Sequence, residues 1–365
     1  MKAENNTRRL LIAGGGTGGH LFPGLAVAEE FLGRSEKNRV LFVNAGRPLD
    51  HKILNSRGMP HRTIAISGFK GMGFFHKIKV LGSFPLAVKR AVDILRSFRP
   101  QVLLSVGGYS AAPAALAAKM MGIPILIHEQ NRLPGLTTRM LSSMAAEVHV
   151  SFSGTPLPLA DNKIRITGNP VRRELLSCRK KRRKAGDSLN LLILGGSQGA
   201  RGLNQAVCKA LPMLKDLPIK VVHQTGTADF EEVRQHYKKL EIRADIFPFI
   251  EDMVSCYAGA DILLCRSGAT TVAELAAAGL GAIFIPFPHA ADNHQYYNAK
   301  AMAEAGAAVI FEENELTSQH LATTLTHYVK YPDITEKMAG AALGLSRPDA
   351  AKHLTSAIMA HMSGI

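Results

Sequence analysis

His20 follows five glycines in six positions, within the run GGGTGGHLFPG at 14–24. Imidazole titrates near neutral pH, so a histidine closing a glycine loop is a candidate general base. Glycines let a phosphate or sugar come close to the backbone, and amides at a helix N-terminus attract anions. The pattern suits proton transfer beside a phosphorylated ligand. A purely structural His20 that orders the loop is the competing account.

Three more glycine-bearing segments follow apolar runs: GGYSAAP at 107–113, GGSQGAR at 195–201 and RSGATTVAE at 266–274. Gly14, Gly16 and Gly19 fit GxGxxG. A dinucleotide site also wants an acid at the end of the second strand, where this chain has Asn44, so the NAD reading loses its weight. Gly195 to Gly199 fits GxSxG, which admits Ser197 as a hydrolase nucleophile with Asp261 or Asp292 and His320. The alternative has Ser197 cap a helix and offer its hydroxyl to a phosphate. The glycines followed by Gln-Gly-Ala-Arg favour that alternative.

A helix entered at Ser267-Gly268 would turn its amides toward a diphosphate. Glu274 on its first turns could accept hydrogen bonds from ribose hydroxyls, or could simply balance the helix dipole. There is no HExxH and no Asp-x-Asp. His128, Glu129 and His289 read as structural, so the expectation is no metal and no cofactor.

Elements with buried strands must carry these loops. LLIA (10–13), VLFVN (40–44), VLLSV (102–106), PILIHE (124–129), NLLILGG (190–196), IKVVHQTG (219–226), DILLCRSG (261–268) and GAIFIPF (281–287) are continuous apolar runs. Such runs indicate strands covered on both faces of a parallel sheet. Helical patterns lie between them, and Pro23 with LAVAEEF predicts a helix opening at 23. The class is α/β, doubly wound. The basic stretch RKKRRKAGDS (179–188) separates two such series, each restarting as strand, glycine loop, helix. Two Rossmann-like domains follow, 1–168 and 169–345, with the ligand between them. A last helix at about 346–365 is expected to pack back on the first.

A chain of 365 residues, 46% hydrophobic, is long enough for two cores. Long uncharged runs such as Val102 to Ala118 and Leu275 to Ala291 are broken by Gly and Pro and fall short of a membrane span. Four scattered cysteines without CxxC and no signal pattern suit a reducing cytosol. Residues 1–168 carry 22 Lys and Arg against 9 Asp and Glu, a net +13, whereas the remainder is at +2. A one-sided positive field implies a polyanionic partner. Segment 69–90 interleaves apolar residues with five Lys or Arg. Phe74, Phe75, Lys77, Ile78, Lys79, Leu81 and Phe84 therefore read as an interfacial patch for an anionic bilayer. With no Trp and no nucleic-acid module, nucleic acid is the weaker reading.

GGGTGGHLFPGLAVAEE, VGGYSAAPAALAA, HEQNRLPGLTTR, GNPVR, GGSQGARGLN, FIEDM and CRSGATTVAELAAAGLGAIFIPFPHAADNHQYYNA, in this order from about residue 8 to 345, resemble the MurG family of bacterial glycosyltransferases. The resemblance implies a GT-B fold. It implies inverting transfer of N-acetylglucosamine from UDP-N-acetylglucosamine to lipid-linked N-acetylmuramyl-pentapeptide, at the cytoplasmic face of the bacterial inner membrane. Cell-wall synthesis and division proteins are implied as partners, and no nucleic acid. Carried over by motif, Thr17, Gly18, Gly19, Asn131, Arg172, Ser197, Ile250, Gln295 and Ala269, Thr270, Thr271, Val272, Ala273 and Glu274 meet the donor. His20 is the candidate base. Gly15, Gly16, Gly107, Gly108 and Tyr109 are expected at the acceptor diphosphate. The family often has Gln-Gln before the tyrosine where this chain has His294-Gln295.

Overall fold

Every continuous apolar run becomes a buried parallel strand. The computed structural model describes residues 7–16, 18–66, 74–178, 186–195 and 199–363, with the backbone alone for 74–81 and 177. These form two compact units, Met1–Val171 with Pro348–Ile365, and Arg172–Arg347. The sequence alone put the breaks after 168 and 345. Arg172 opens the second unit, and its side chain pairs there with Glu274.

The first unit runs β1 (Arg9–Ala13), α1 (Gly18–Gly33), β2 (Arg39–Asn44), α2 (Pro48–Ser56), β3 (His61–Thr63), α3 (Phe74–Phe98), β4 (Val102–Ser105), α4 (Ala111–Met120), β5 (Ile125–Glu129), α5 (Leu136–Leu141), β6 (Glu147–Val150) and β7 (Ile164–Ile166). The sheet order is β3-β2-β1-β4-β5-β6-β7, all parallel.

The second unit runs β8 (Leu189–Leu194), α6 (Arg201–Leu214), β9 (Ile219–Gln224), α7 (Phe230–Lys239), β10 (Ala244–Phe247), α8 (Met253–Gly259), β11 (Ile262–Cys265), α9 (Ala269–Ala278), β12 (Gly281–Phe284), α10 (His294–Glu304), β13 (Ala308–Ile310), α11 (Ser318–Lys330) and α12 (Pro332–Gly344). Its order is β10-β9-β8-β11-β12-β13, again all parallel. The final helix, α13 (Ala350–Ser363), returns to the first unit. Its Leu354, Ile358 and Met362 join Leu10, Ile12 and Leu21 in one core. Arg34 at the end of α1 donates to Ser356 Oγ and to the Lys352 carbonyl, each at 3.1 Å.

Strand order reverses between β1 and β4 in one sheet and between β8 and β11 in the other. Ligands of open α/β sheets bind beyond the carboxyl ends of the strands at such reversals. The glycine loops after β1, β4, β8 and β11 all emerge there.

Sequence reading missed β3, β6, β7, β10 and β13. Each has three or four residues, and all but β6 are edge strands with mixed exposure, too short to show a period. It also placed the start of the first helix too late. The helix begins at Gly18 and runs through Pro23. Proline lacks an N–H and crowds the carbonyl four residues back, here that of Gly19 in the first turn, where little helix precedes it. His20 therefore sits on the first turn of α1 and not in the loop before it.

Candidate active site

In the first unit, the loops after β1 and β4 interlock. Gly107 and Gly108 hold φ of +88° and +87°. A Cβ at Gly108 would fall 2.6 Å from the Gly15 carbonyl, and one at Gly107 would fall 2.9 Å from His20 Cδ2. The two loops can meet, and the His20 ring can lie on Gly107, because neither residue has a side chain. Tyr109 and His20 are half-buried at this junction.

Asp50, which sequence reading did not single out, holds the first loop. Gly16 N–H is shared between both Asp50 carboxylate oxygens, at 2.9 and 3.1 Å. Asp50 is fully buried. Burial raises its carboxyl above the ordinary value, against the Gly16 hydrogen bond and the nearby Arg47 and His51, which lower it. Gly14 N–H donates to the Val43 carbonyl at 2.9 Å. Gly14 and Gly15 are buried. These bonds run against the expectation that the Gly15-Gly16 amides cradle a phosphate: the Gly16 amide is engaged and Gly15 is walled in. The signal available was Asp50 itself, two residues after Pro48 in the first turn of α2, an ordinary place for an acid.

On β5, Glu129 is buried and accepts from the amide of Asn131 at 2.9 Å, its side chain at 3.3 Å and the amide of Gly135 at 3.0 Å. Burial raises the Glu129 carboxyl, and these donors oppose the rise. The HEQN motif thus builds the loop that carries Asn131.

In the second unit, α9 starts after Gly268, which has extended φ and ψ and no side chain to cap the first amides. Glu274, 7% exposed, accepts from Arg172 Nη2 at 2.9 Å and from the Tyr257 hydroxyl at 3.0 Å. Tyr257 is fully buried, and burial with the adjacent Glu274 pushes its hydroxyl well above the usual value, keeping it a donor. Sequence reading paired neither Tyr257 nor Arg172 with Glu274, since 102 residues separate the two charged partners.

Gln295 is fixed at both ends, its carbonyl accepting from Ser267 Oγ at 2.8 Å and its side-chain oxygen from Phe287 N–H at 3.0 Å. Ile250 N–H donates to Gln224 Oε1 at 2.9 Å. Arg266 spans the strand ends, donating to the Ile285 and Pro286 carbonyls at 2.9 and 3.1 Å and pairing with Glu313. A Cβ at Gly202, in the first turn of α6, would collide with the Glu313 carboxylate. The Glu313 carboxylate thus lies against the first turn of α6.

Thr17 and Ser197 lie outside the described residues, as do 67–73 and the basic run 179–185. The hydrolase reading finds no support from Asp261. It precedes β11 at the amino edge of the sheet and accepts from Asn190 N–H and Nδ2 at 2.8 and 2.9 Å. His320 stacks on Phe311. Among the described residues, no cluster of three or more His, Cys, Asp or Glu is placed to hold a metal ion.

The Phe74 to Leu81 part of the expected membrane patch is described as helix only, in α3. Phe84 is half-buried and Leu86 exposed. Met120 (69% exposed), Met121, Leu136 and Met140 (64% exposed) are further exposed apolar residues on and beside α4 and α5; α4 packs on α3, and α5 on α4. No helix of the described residues is long and apolar enough to cross a membrane.

Two Rossmann-like units, with glycine loops at both sheet reversals and a carboxylate inside the uncapped helix of the second, define a GT-B glycosyltransferase. The chain belongs to glycosyltransferase family 28, whose N-terminal domain matches residues 10–150 and whose C-terminal domain matches 190–354. It is 43% identical over 348 residues to the UDP-N-acetylglucosamine–N-acetylmuramyl-(pentapeptide) pyrophosphoryl-undecaprenol N-acetylglucosamine transferase of Myxococcus xanthus, covering 95% of this chain and 91% of that one. The enzyme of the same name from Syntrophus aciditrophicus is 42% identical, covering 97% and 99%. The crystal structure of Acinetobacter baumannii MurG superposes with a TM-score of 0.81 at 32% identity, covering 96% of this chain and 99% of that one.

Proposed function

We propose that the chain transfers N-acetylglucosamine from UDP-N-acetylglucosamine to the muramyl 4-hydroxyl of undecaprenyl-diphospho-N-acetylmuramyl-pentapeptide, with inversion. The observation that carries this reading is the Arg172–Glu274–Tyr257 set behind the uncapped start of α9, in a chain with near full-length relatives of that name. The acceptor oxygen attacks the anomeric carbon and the bond to UDP breaks. The hydroxyl proton passes to His20. The charge left on UDP meets the first amides of α9 and the Ser197 hydroxyl.

Glu274 accepts from the ribose with the lone pairs that Arg172 and Tyr257 leave, and the Ile250 carbonyl takes the uracil edge. Residues Ala269 to Ala273 line the diphosphate, and the Gln295 amide meets sugar hydroxyls. From the other unit, Thr17, Gly18, Gly19 and Asn131 are assigned to the donor sugar. Gly107, Gly108 and Tyr109 are assigned to the acceptor.

The enzyme works as a peripheral protein on an anionic membrane surface, facing the cytoplasm. Exposed Leu86, Met120, Leu136 and Met140, with exposed Lys89, Arg90, Lys119 and Arg139, support this for α3 to α5. Partners among cell-wall synthesis and division proteins follow from that location.

The test is transfer of labelled N-acetylglucosamine from UDP to the lipid-linked muramyl-pentapeptide. Labelled lipid and acceptor-dependent UDP release are expected, and their absence with active, folded protein sinks the reading. Sedimentation with anionic vesicles tests the membrane surface. Unchanged binding after Phe74, Phe75, Lys77 and Lys79 are all replaced by Ser would remove that segment from it.

A further inference from the structure

We propose that Arg47 is the group in the first unit that grips the acceptor's diphosphate, in place of the amides of the glycine loop beneath it. This rests on the acceptor reading above and adds to it a residue and a chemistry. A strand-loop-helix glycine motif ordinarily offers bare amides to a phosphate. Here the amide of Gly16 is held by both oxygens of Asp50, that of Gly14 by the Val43 carbonyl, and Gly15 is buried. Two of the loop's amides are thus engaged from inside and a third is buried.

Positive charge is restored by one side chain. Arg47 Nη1 donates to the Gly16 carbonyl at 2.6 Å. A Cβ at Gly16 would lie 3.5 Å from Arg47 Cζ and Nε, so the guanidinium covers the glycine where a side chain would otherwise stand. Arg47 is exposed, and Pro48 at the start of α2 fixes the chain just after it. One of its five donors is spent on Gly16, which orients the planar group and leaves further N–H groups for oxygens of a phosphate.

Beside it, buried Asn44 has an Nδ2 with no hydrogen-bond partner, while its Oδ1 accepts from Gly46 N–H at 2.8 Å. A Cβ at Gly15 would lie 3.5 Å from Asn44 Cβ and 2.9 Å from Asp50 Oδ2. The site thus has an oriented cation outside, an unmet donor inside, and a buried carboxylate that balances the cation when no anion is bound. A diphosphate ester fits that charge pattern; a neutral glycoside would leave the guanidinium unmet.

The experiment is steady-state kinetics of Arg47→Gln and Arg47→Lys with the lipid-linked muramyl-pentapeptide, with inorganic diphosphate as an inhibitor competing with the acceptor. Arg47→Gln should raise the acceptor KM by about 10- to 100-fold, the range for losing a charge-assisted hydrogen bond. The inhibition constant of inorganic diphosphate should rise by a similar factor while the donor KM stays within twofold. Arg47→Lys should recover part of the loss through its charge. An acceptor KM unchanged within twofold overturns the inference, as does a parallel rise of donor and acceptor KM with a lowered Tm, which marks a loop clamp only. These outcomes are read in a protein that transfers sugar. If the unaltered enzyme transfers none, the function proposed above fails instead.

Discussion

The two units share a parallel-sheet plan and a strand–glycine–helix opening, yet they handle the positive end of the helix differently. In the first, the loop after β1 is closed: Asp50 takes the Gly16 amide and Arg47 covers the outside. In the second, the Glu313 carboxylate lies against Gly202 in the first turn of α6, whereas α9 begins at Gly268, which has no side chain to cap it, and has Glu274 held by Arg172 and Tyr257 one turn further in. A glycine loop therefore does not by itself make an anion site. In the first unit a carboxylate from another element has already reached one of the amides. On the proposed function, this contrast assigns chemistry and a side-chain cation to the first unit, and backbone anion binding to the second.

That division can be broken at its strongest point by His20→Ala. Removing a general base costs typically 10²- to 10⁴-fold, so a fall in kcat of about 10³-fold is expected, with binding of UDP-N-acetylglucosamine unchanged by calorimetry. A kcat that persists across the pH range would move the base elsewhere. In the second unit, Glu274→Ala leaves half-buried Arg172 and buried Tyr257 without their acceptor. Hydrogen bonds to a charged group are worth about 1.5–3 kcal/mol, and on the proposed function the loss should appear chiefly as a donor KM raised by about 10²-fold. An equal loss in acceptor binding would blur the contrast.

Acid sharpens the comparison differently. His128 and His149 are buried side by side on β5 and β6 of the first unit, and burial lowers them to about 4 and about 3; the second unit buries His223, also lowered to about 3. These rings are neutral when folded. Their stabilisation is complete above the unfolded value of 6.5 and is lost as pH falls from there toward about 4. Charging the buried His128 ring alone therefore costs the fold about 3 kcal/mol. The first unit should open first on acidification, seen as earlier hydrogen exchange in peptides of β5 and β6 than in those of β9. Simultaneous opening would contradict this.

The smallest effect is expected at Asp50. Asp50→Ala strands the Gly16 amide, and an unsatisfied buried donor costs about 1–3 kcal/mol, so Tm should fall. Asp50→Asn keeps an acceptor and should cost less. Because burial raises the Asp50 carboxyl, its ionisation weighs against the fold as pH rises above 3.8, so the Asp protein gains on the Asn variant in acid and the gap between them should widen there. An Asn variant as unstable as the Ala variant would mean that charge, and not the hydrogen bond, holds the loop.

The α/β class, the long central strands, the glycine loops and the family motifs were legible in the sequence, because continuous apolar runs and glycine spacing are local properties of the chain. The start of α1 at Gly18 was not, since Pro23 is tolerated only because of where it falls in the helix. Nor were the short edge strands, which exist only because a neighbouring strand supplies their hydrogen bonds.

Within the site, His20, Glu274, Arg172 and Gln295 could be named from residue type and motif. Tertiary structure alone decided which groups meet. Asp50 comes to Gly16 across 34 residues, Arg172 to Glu274 across 102, and Glu313, after β13, to Gly202 on α6. Sequence spacing carries no signal over such separations. The distances are set by which strands pair and in what order, and that is a property of the packed sheet.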